Sequence, residues 1–164
     1  MPVLLTEKLD ATMIQPGFSS IRRHLPHWTL PGSTYYATFH LDAGELSYVE
    51  RRIVLDHLKS GHGRFYDLAA VSVMPDHVHV IFKPQGDHTP SRIMKGMKGV
   101  SARLLNEHRH SNGRVWQDES WDRILRNAAE YDEKVQYMYD NPVNAGLVTD
   151  ADTYDGWFFN SDFA

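Results

Sequence analysis

The chain has 164 residues, of which 41 % are hydrophobic and 12 % aromatic, enough for one compact domain with a real core rather than an intrinsically disordered segment. It contains no cysteine, which removes disulfides, thiolate metal sites and cysteine nucleophiles, so any metal must be held by histidine, carboxylate, amide or water. The net charge of −4 argues against a uniformly basic surface.

No apolar run approaches the roughly 20 residues of a membrane span. The first 20 residues lack a basic segment followed by an apolar one, so a soluble, cytoplasmic protein is expected. No repeat or low-complexity block divides the chain, and residues 1–164 read as a single domain. Its charge is uneven. Residues 91–114 carry Arg92, Lys95, Lys98, Arg103, Arg109 and Arg114 against Glu107 alone, a local balance of +5. From residue 130 onward eight acids oppose only Lys134, a balance of −7. Such asymmetry points to one basic face, or simply to a well-solvated helix.

Residues 1–32 are rich in turn formers, with Pro16-Gly17 and Pro31-Gly32 framing Arg22-Arg23-His24, and an irregular lead-in is expected. Residues 33–41, with Tyr35, Tyr36, Thr38 and Phe39, read as a strand. Leu46, Val49, Ile53, Val54 and Leu58 recur at helical spacing, and Gly61 and Gly63 supply a stop. Residues 65–73 and 77–83 are two further strands, joined through Met74-Pro75-Asp76 as a hairpin. Thr89 and Pro90 form an N-cap and first helical position. The helix they open carries the stripe Ile93, Met94, Met97, Val100, Leu104 and Leu105. A fourth strand falls within 115–125. Asn127 and Glu130 then cap a last helix, which Pro142 should end near Asp140 or Asn141.

This order, strand, helix, strand, strand, helix, strand and an added helix, is the split βαβ pattern of a ferredoxin-like α+β domain. Alternation in the third strand puts Val78, Val80 and Phe82 under the helices and His77, His79 and Ile81 on the other, open face. Two imidazoles one residue apart on a strand can close on one ion, although a His-x-His pair alone is equally at home on a solvated face. In the last helix Ala128, Tyr131, Val135 and Met138 form the apolar stripe. That places Tyr131 in the core and Tyr137 on a flank shared with Glu130, Lys134 and Asn141. Tyr137 is thus either the edge of a site or a surface tyrosine.

Three separated segments carry a family resemblance. They are Val73-Met74-Pro75-Asp76-His77-Val78-His79-Val80-Ile81, Trp116-Gln117-Asp118-Glu119-Ser120-Trp121-Asp122-Arg123-Ile124 and Tyr137-Met138-Tyr139-Asp140-Asn141-Pro142-Val143-Asn144-Ala145-Gly146-Leu147. Together with Arg22-Arg23-His24-Leu25-Pro26 and residues 31–39, they resemble the REP-associated tyrosine transposase branch of the single-tyrosine HUH transposases across most of residues 20–148. The resemblance implies a ferredoxin-like domain whose HUH motif, here His77, Val78 and His79, binds Mg²⁺ or Mn²⁺ and the scissile phosphate of hairpin-containing single-stranded DNA. It further implies Tyr137 as the nucleophile and Asn141 as an additional metal ligand, in a cytoplasmic, nucleoid-associated protein.

That chemistry is coherent. A divalent ion neutralises charge developing on phosphate, and a phenol with an ordinary pKa of about 10 is both a usable nucleophile and a competent leaving group, so a 5′-phosphotyrosine can later be resealed without ATP. Paired imidazoles also accept Zn²⁺ or Ni²⁺.

DNA contacts are expected from Arg22, Arg23, Arg92, Lys95, Lys98 and Arg103; Trp116 and Trp121 are candidate stacking surfaces, although a tryptophan is more often a core residue than a platform. Arg123 and Arg126 could touch phosphate or pair with nearby acids. After Leu147 the chain departs from the family: where relatives often carry a Trp-Pro and serine-rich segment, residues 149–164 form an acidic, aromatic tail that either packs back on the domain or covers the site. Its charge could restrain DNA binding. A non-cleaving binder of structured single-stranded nucleic acid, and a hydrolase using Asp76 with the histidines, are the other function classes; monomer and homodimer both remain open.

Overall fold

The computed structural model describes residues 32–163 in full, together with the backbone of two earlier strands, β1 (Ser19–Arg22) and β2 (Pro26–Thr29). These two pair antiparallel, Ser19 opposite Thr29 and Arg22 opposite Pro26, as a separate two-stranded sheet. The lead-in is therefore not wholly irregular; in a segment so rich in turn formers, pattern did not distinguish a short hairpin from a loop.

The main elements follow the expected order: β3 (Thr34–Leu41), α1 (Tyr48–Ser60), β4 (Tyr66–Val73), β5 (His77–Pro84), α2 (Pro90–Arg109), β6 (Trp116–Leu125) and α3 (Ala128–Asn144). A short 3-10 turn (Ala151–Thr153) and a last strand, β7 (Trp157–Phe159), come after them. The sheet order is β6-β3-β5-β4-β7 with every pairing antiparallel, so β5 is the central strand, fixed by ladders on both sides. This is the ferredoxin-like arrangement extended by one edge strand.

The helices start where the local chemistry places them. Ser47 and Glu50 form a reciprocal capping box for α1. Thr89 accepts from the Arg92 N–H at the start of α2, with Pro90 as its first residue. Asn127 accepts from the Glu130 N–H at the start of α3, while the Glu130 carboxylate reaches back to the Arg126 N–H. The expected stop at Pro142 is wrong: α3 carries Pro142 within its last turn and runs to Asn144. A proline so close to the end removes only one donor, and Gly146, at φ +74°, lets the Leu147 N–H close back on the Pro142 carbonyl.

The sheet is covered on both faces. On one, α1 and α2 bury Tyr35, Ala37, Phe39, Val78, Val80 and Phe82 with Val54, Leu58, Met97 and Leu105. On the other, α3 sets Met138 over Tyr36, Ala69, Ala70, Ile81 and Leu125. Of the α3 stripe only Met138 is fully buried: Tyr131 and Val135 are half-buried and Ala128 is exposed, so this helix lies lightly on the sheet. The histidine face is consequently partly roofed.

Two bulges tune which side chains face which layer. Ala69 is an extra residue in β4 relative to β5, so that Leu68, Val71 and Val73 all reach the α1/α2 core. In β6, residues 117–119 form a larger irregularity opposite His40. The Lys98 ammonium plugs it, donating to the Gln117 and Asp118 carbonyls at 2.6 and 3.0 Å and to Ser120 Oγ at 2.9 Å.

Candidate active site

The register of β5 decides the site. His79 lies opposite Thr38 of β3 and Ser72 of β4, and His77 lies opposite His40, all on the α3 face. His79 is only 5 % exposed. Its Nδ1 stands 2.9 Å from both the Tyr36 hydroxyl and Thr38 Oγ1, and its Nε2 stands 3.1 Å from Nε2 of His77. Asp76 closes the other end: its carboxylate, an acceptor only, takes the Nδ1–H of His77 at 2.6 Å.

Asp76 therefore leaves a lone pair on His77 Nε2, facing His79. Without a metal, His79 completes the contact as the Nε2–H tautomer, its Nδ1 accepting from a hydroxyl. With the proton moved to Nδ1, the same hydroxyls accept instead, and two bare Nε2 atoms converge. A separation of 3.1 Å is also that of two adjacent ligands on one ion with bonds of about 2.1 Å. Burial, reinforced by repulsion from His77, His40 and Lys134, lowers the His79 pKa to about 3, keeping this imidazole neutral and available as a ligand.

Helix α3 brings Tyr137 over the pair, its ring edge-on to His79 at 5.6 Å between centroids and 48 % exposed. Lys134, one turn earlier, places its ammonium 5.4 Å from the Tyr137 ring centre and 5.2 Å from that of Tyr36. Asn141 lies one turn beyond Tyr137 on the same flank. Its Nδ2 is buried without a partner, and half a turn of the amide would present oxygen there instead, the donor that a hard cation prefers. Among the described residues no three of His, Asp and Glu converge as a metal cluster. A cation here would thus have two imidazoles, with its remaining positions open to Asn141, water or a ligand oxygen.

Not every expected contact residue gathers here. Arg92, Lys95, Lys98 and Arg103 lie on α2, which covers the opposite face of the sheet. Lys98 is committed to the β6 bulge and Arg103 pairs with Glu107. Arg109 pairs with Glu50, and Arg114 with Asp118 and Asp42, so two more cations of the +5 run are matched by acids outside it. Arg92 and Lys95 are exposed, and Lys95 borders a cavity of about 790 Å³ between α2 and β6. Arg23 and the side chain of Arg22 lie outside the described residues.

Trp116 is no stacking platform: it is 4 % exposed, packs edge-on against Phe39 and donates its indole N–H to Ser101. Trp121 is 47 % exposed on the site face, edge-on to Tyr36. The tail packs back on the domain, with β7 paired to β4, Tyr154 donating to the Val73 carbonyl and Asp155 bridging to Arg51. Tyr36, Thr38, His40 and Lys134 carried no role in the sequence motifs. Alternation in residues 34–41 was the available signal, since it puts Tyr36, Thr38 and His40 on one face.

Two imidazoles, a half-exposed phenol and a buried unpartnered amide on one sheet face invite comparison with known proteins. Residues 59–126 match the IS200-like transposase family. The matched span holds His77, His79 and residues 116–124 and stops before Tyr137. The REP-associated tyrosine transposase of Escherichia coli (strain K12) is 29 % identical over 110 residues, covering 65 % of this chain and 62 % of that protein. A Haemophilus influenzae relative is 24 % identical over 93 residues, covering 51 % of this chain and 53 % of its own length. The chain thus spans less than two thirds of the curated relatives it matches. A solved REP-associated tyrosine transposase bound to a REP hairpin superposes with a TM-score of 0.64 at 25 % identity, over 83 % of this chain and 79 % of the other. The resemblance to REP-associated transposases, and the ferredoxin-like α+β fold it implies, both hold. Among the described residues no helix is long and apolar enough to cross a membrane.

Proposed function

We propose that this protein cleaves and rejoins single-stranded DNA at hairpin-containing sites, with Tyr137 as nucleophile, in DNA transposition or the processing of dispersed hairpins. The observation that carries the reading is the Tyr137 ring 5.6 Å from His79, whose Nε2 converges with that of His77 at 3.1 Å. The hairpin held by the structural neighbour supports the substrate class.

The phenolic oxygen of Tyr137 attacks the scissile phosphorus, its proton leaving to solvent from the half-exposed ring. The bond from phosphorus to the 3′-oxygen breaks, that oxygen takes up a proton as a free hydroxyl, and the 5′-phosphate remains on Tyr137. Attack by a 3′-hydroxyl reverses these changes and reseals a strand. His77 and His79, with Asn141, would hold Mg²⁺ or Mn²⁺, which supplies charge neutralisation at the phosphate. Asp76 orients His77, and the Tyr36 and Thr38 hydroxyls orient His79. Lys95, which borders the α2–β6 groove, and Arg92, exposed on the same helix, would meet the phosphates of a hairpin stem. Such a protein would work in the cytoplasm at the nucleoid.

Incubation with a pool of single-stranded hairpin DNA and Mn²⁺ should give a denaturation-resistant protein–DNA adduct that Tyr137→Phe abolishes. Cleavage that survives the mutation without an adduct would mean hydrolysis; hairpin binding without cleavage would mean a binder that has lost the chemistry.

A further inference from the structure

The α2 cations named by the sequence, Arg92, Lys95, Lys98 and Arg103, lie on the face opposite the histidines, so other groups must hold the strand beside Tyr137. A contiguous row of side chains on the site face answers this. From Trp121 the row passes to Tyr36, edge-on at 5.8 Å, then to Lys134, 5.2 Å from the Tyr36 ring centre. Lys134 in turn lies 5.4 Å from the Tyr137 ring centre, and Tyr137 leads to His79. Arg123 lies opposite Tyr36 in the β3–β6 register and so projects from the same face. Its charge reaches the Tyr36 hydroxyl, as that of Lys134 reaches His79.

The row is built rather than incidental. Tyr36 is 3 % exposed and forms a fixed floor, tied by its hydroxyl to His79. Trp121 stands on that floor half-exposed, in β6, the terminal strand of the five-stranded sheet. An exposed indole flanked by two cations, with a sheet surface between them, offers a flat apolar face for a base and positive charge for its phosphate. Charge also sets the direction: Asp140, Asp150 and Asp152 lie in or after the last turns of α3 and repel phosphate on the β7 side.

We propose that Trp121, Lys134 and Arg123 form a nucleotide subsite of the Tyr137 centre, in which a base adjoining the scissile phosphate stacks on the Trp121 indole while Lys134 and Arg123 meet the backbone phosphates. The inference rests on the reading of Tyr137 as a DNA-cleaving site for its context. Its chemistry requires only single-stranded DNA, and because every base has a π-face the subsite is tolerant of sequence.

The test uses fluorescein-labelled oligothymidylate of about ten nucleotides, with EDTA present so that binding is read by anisotropy without chemistry. The full chain is compared with Trp121→Ala, Trp121→Phe, Lys134→Gln and Tyr137→Phe. Loss of one stacked base should weaken binding about tenfold in Trp121→Ala, with most affinity restored in Trp121→Phe. Lys134→Gln should flatten the dependence of log affinity on log salt by about 0.7, the contribution of one single-strand phosphate contact, whereas Trp121→Ala should leave that slope unchanged. Wild-type affinity in Trp121→Ala, or no binding of the oligonucleotide by the unmodified chain, overturns the subsite. Should the hairpin adduct form at Tyr137 while Trp121→Ala binds normally, the subsite fails and the cleavage reading stands. If Trp121→Ala weakens binding but no adduct forms, the subsite stands and the cleavage reading fails.

Discussion

Asp76 decides which nitrogen of His77 faces the site. Without its carboxylate the imidazole is free to place its proton on Nε2, directed at His79, and each ligand event must then first displace that proton. Asp76→Ala should weaken Mn²⁺ binding about 10- to 100-fold by calorimetry while leaving the fold intact, since the Asp76 side chain is largely exposed. Unchanged Mn²⁺ affinity would remove the carboxylate from the site. His79 makes a separate claim on stability. Its folded pKa of about 3 lies below the unfolded value of about 6.5, so the unfolded chain binds more protons between these limits. Stability from this group is complete above pH 6.5 and declines as pH falls toward 3. Between pH 6.5 and 5, in EDTA, urea unfolding should therefore show up to about 2 kcal/mol more loss in the wild type than in His79→Gln. Equal losses in the two would show that His79 is not held neutral by burial. At this scale the sequence exposed the ligand-type residues, through alternation and motif, but not their partners. Tyr36 and Thr38 are ordinary strand formers, and only register with His79 makes them hydrogen-bond partners.

Whole elements were legible where periodicity and caps agreed, as at Thr89-Pro90 and Asn127, and were misjudged where one residue overrides the pattern. Pro142 reads as a stop, yet within the last turn it costs a single N–H and the helix continues to Asn144. The extra residue Ala69 changes the parity of β4, which no alternation count reveals, and its backbone is satisfied from the tail: Asn160 donates its N–H to the Ala69 carbonyl and its side-chain amide to that of Leu68. The tail is accordingly part of the sheet. Tyr154 is buried enough that its hydroxyl pKa is pushed up to about 12, and it remains a donor to the Val73 carbonyl. Gly156 fits under that same carbonyl only because it lacks a side chain: a Cβ there would stand 2.3 Å from the Val73 oxygen. Gly156→Ala should thus cost about 2 kcal/mol or more, measured as a lower urea midpoint, by forcing β7 off β4. A midpoint within experimental error of the wild type would mean the tail docks loosely. Deleting residues 152–164 would unpair the same edge, so the idea that tail charge restrains DNA is better tested by Asp152→Asn, whose carboxylate only receives the exposed Tyr139 hydroxyl.

For the molecule as a whole, net charge conceals where phosphate can be met. Summing charges along residues 91–114 counts Lys98, Arg103, Arg109 and Arg114 as available, whereas the fold commits them to the β6 bulge, Glu107, Glu50 and the Asp42 and Asp118 carboxylates. Arg92 and Lys95 are both exposed on α2, and Lys95 borders the groove that runs to β6. On the proposed hairpin-cleaving function, the duplex stem would lie on this side of β6 while the single strand meets Trp121 and Arg123 on the opposite surface. Two cations lost from stem contacts should reduce the salt slope of hairpin binding by about 2, and this separates them from cations that act through the fold. The double variant Arg92→Ala/Lys95→Ala should show that reduction by anisotropy titration across salt, with thermal stability unchanged and with affinity for short unstructured oligothymidylate retained. Lys98→Met should behave oppositely, leaving three oxygens without their donor and lowering stability before it alters any slope. If the double variant binds hairpin with the wild-type slope, the stem does not lie on α2, and the electrostatic footprint must instead be confined to the face that carries Lys134 and Arg123.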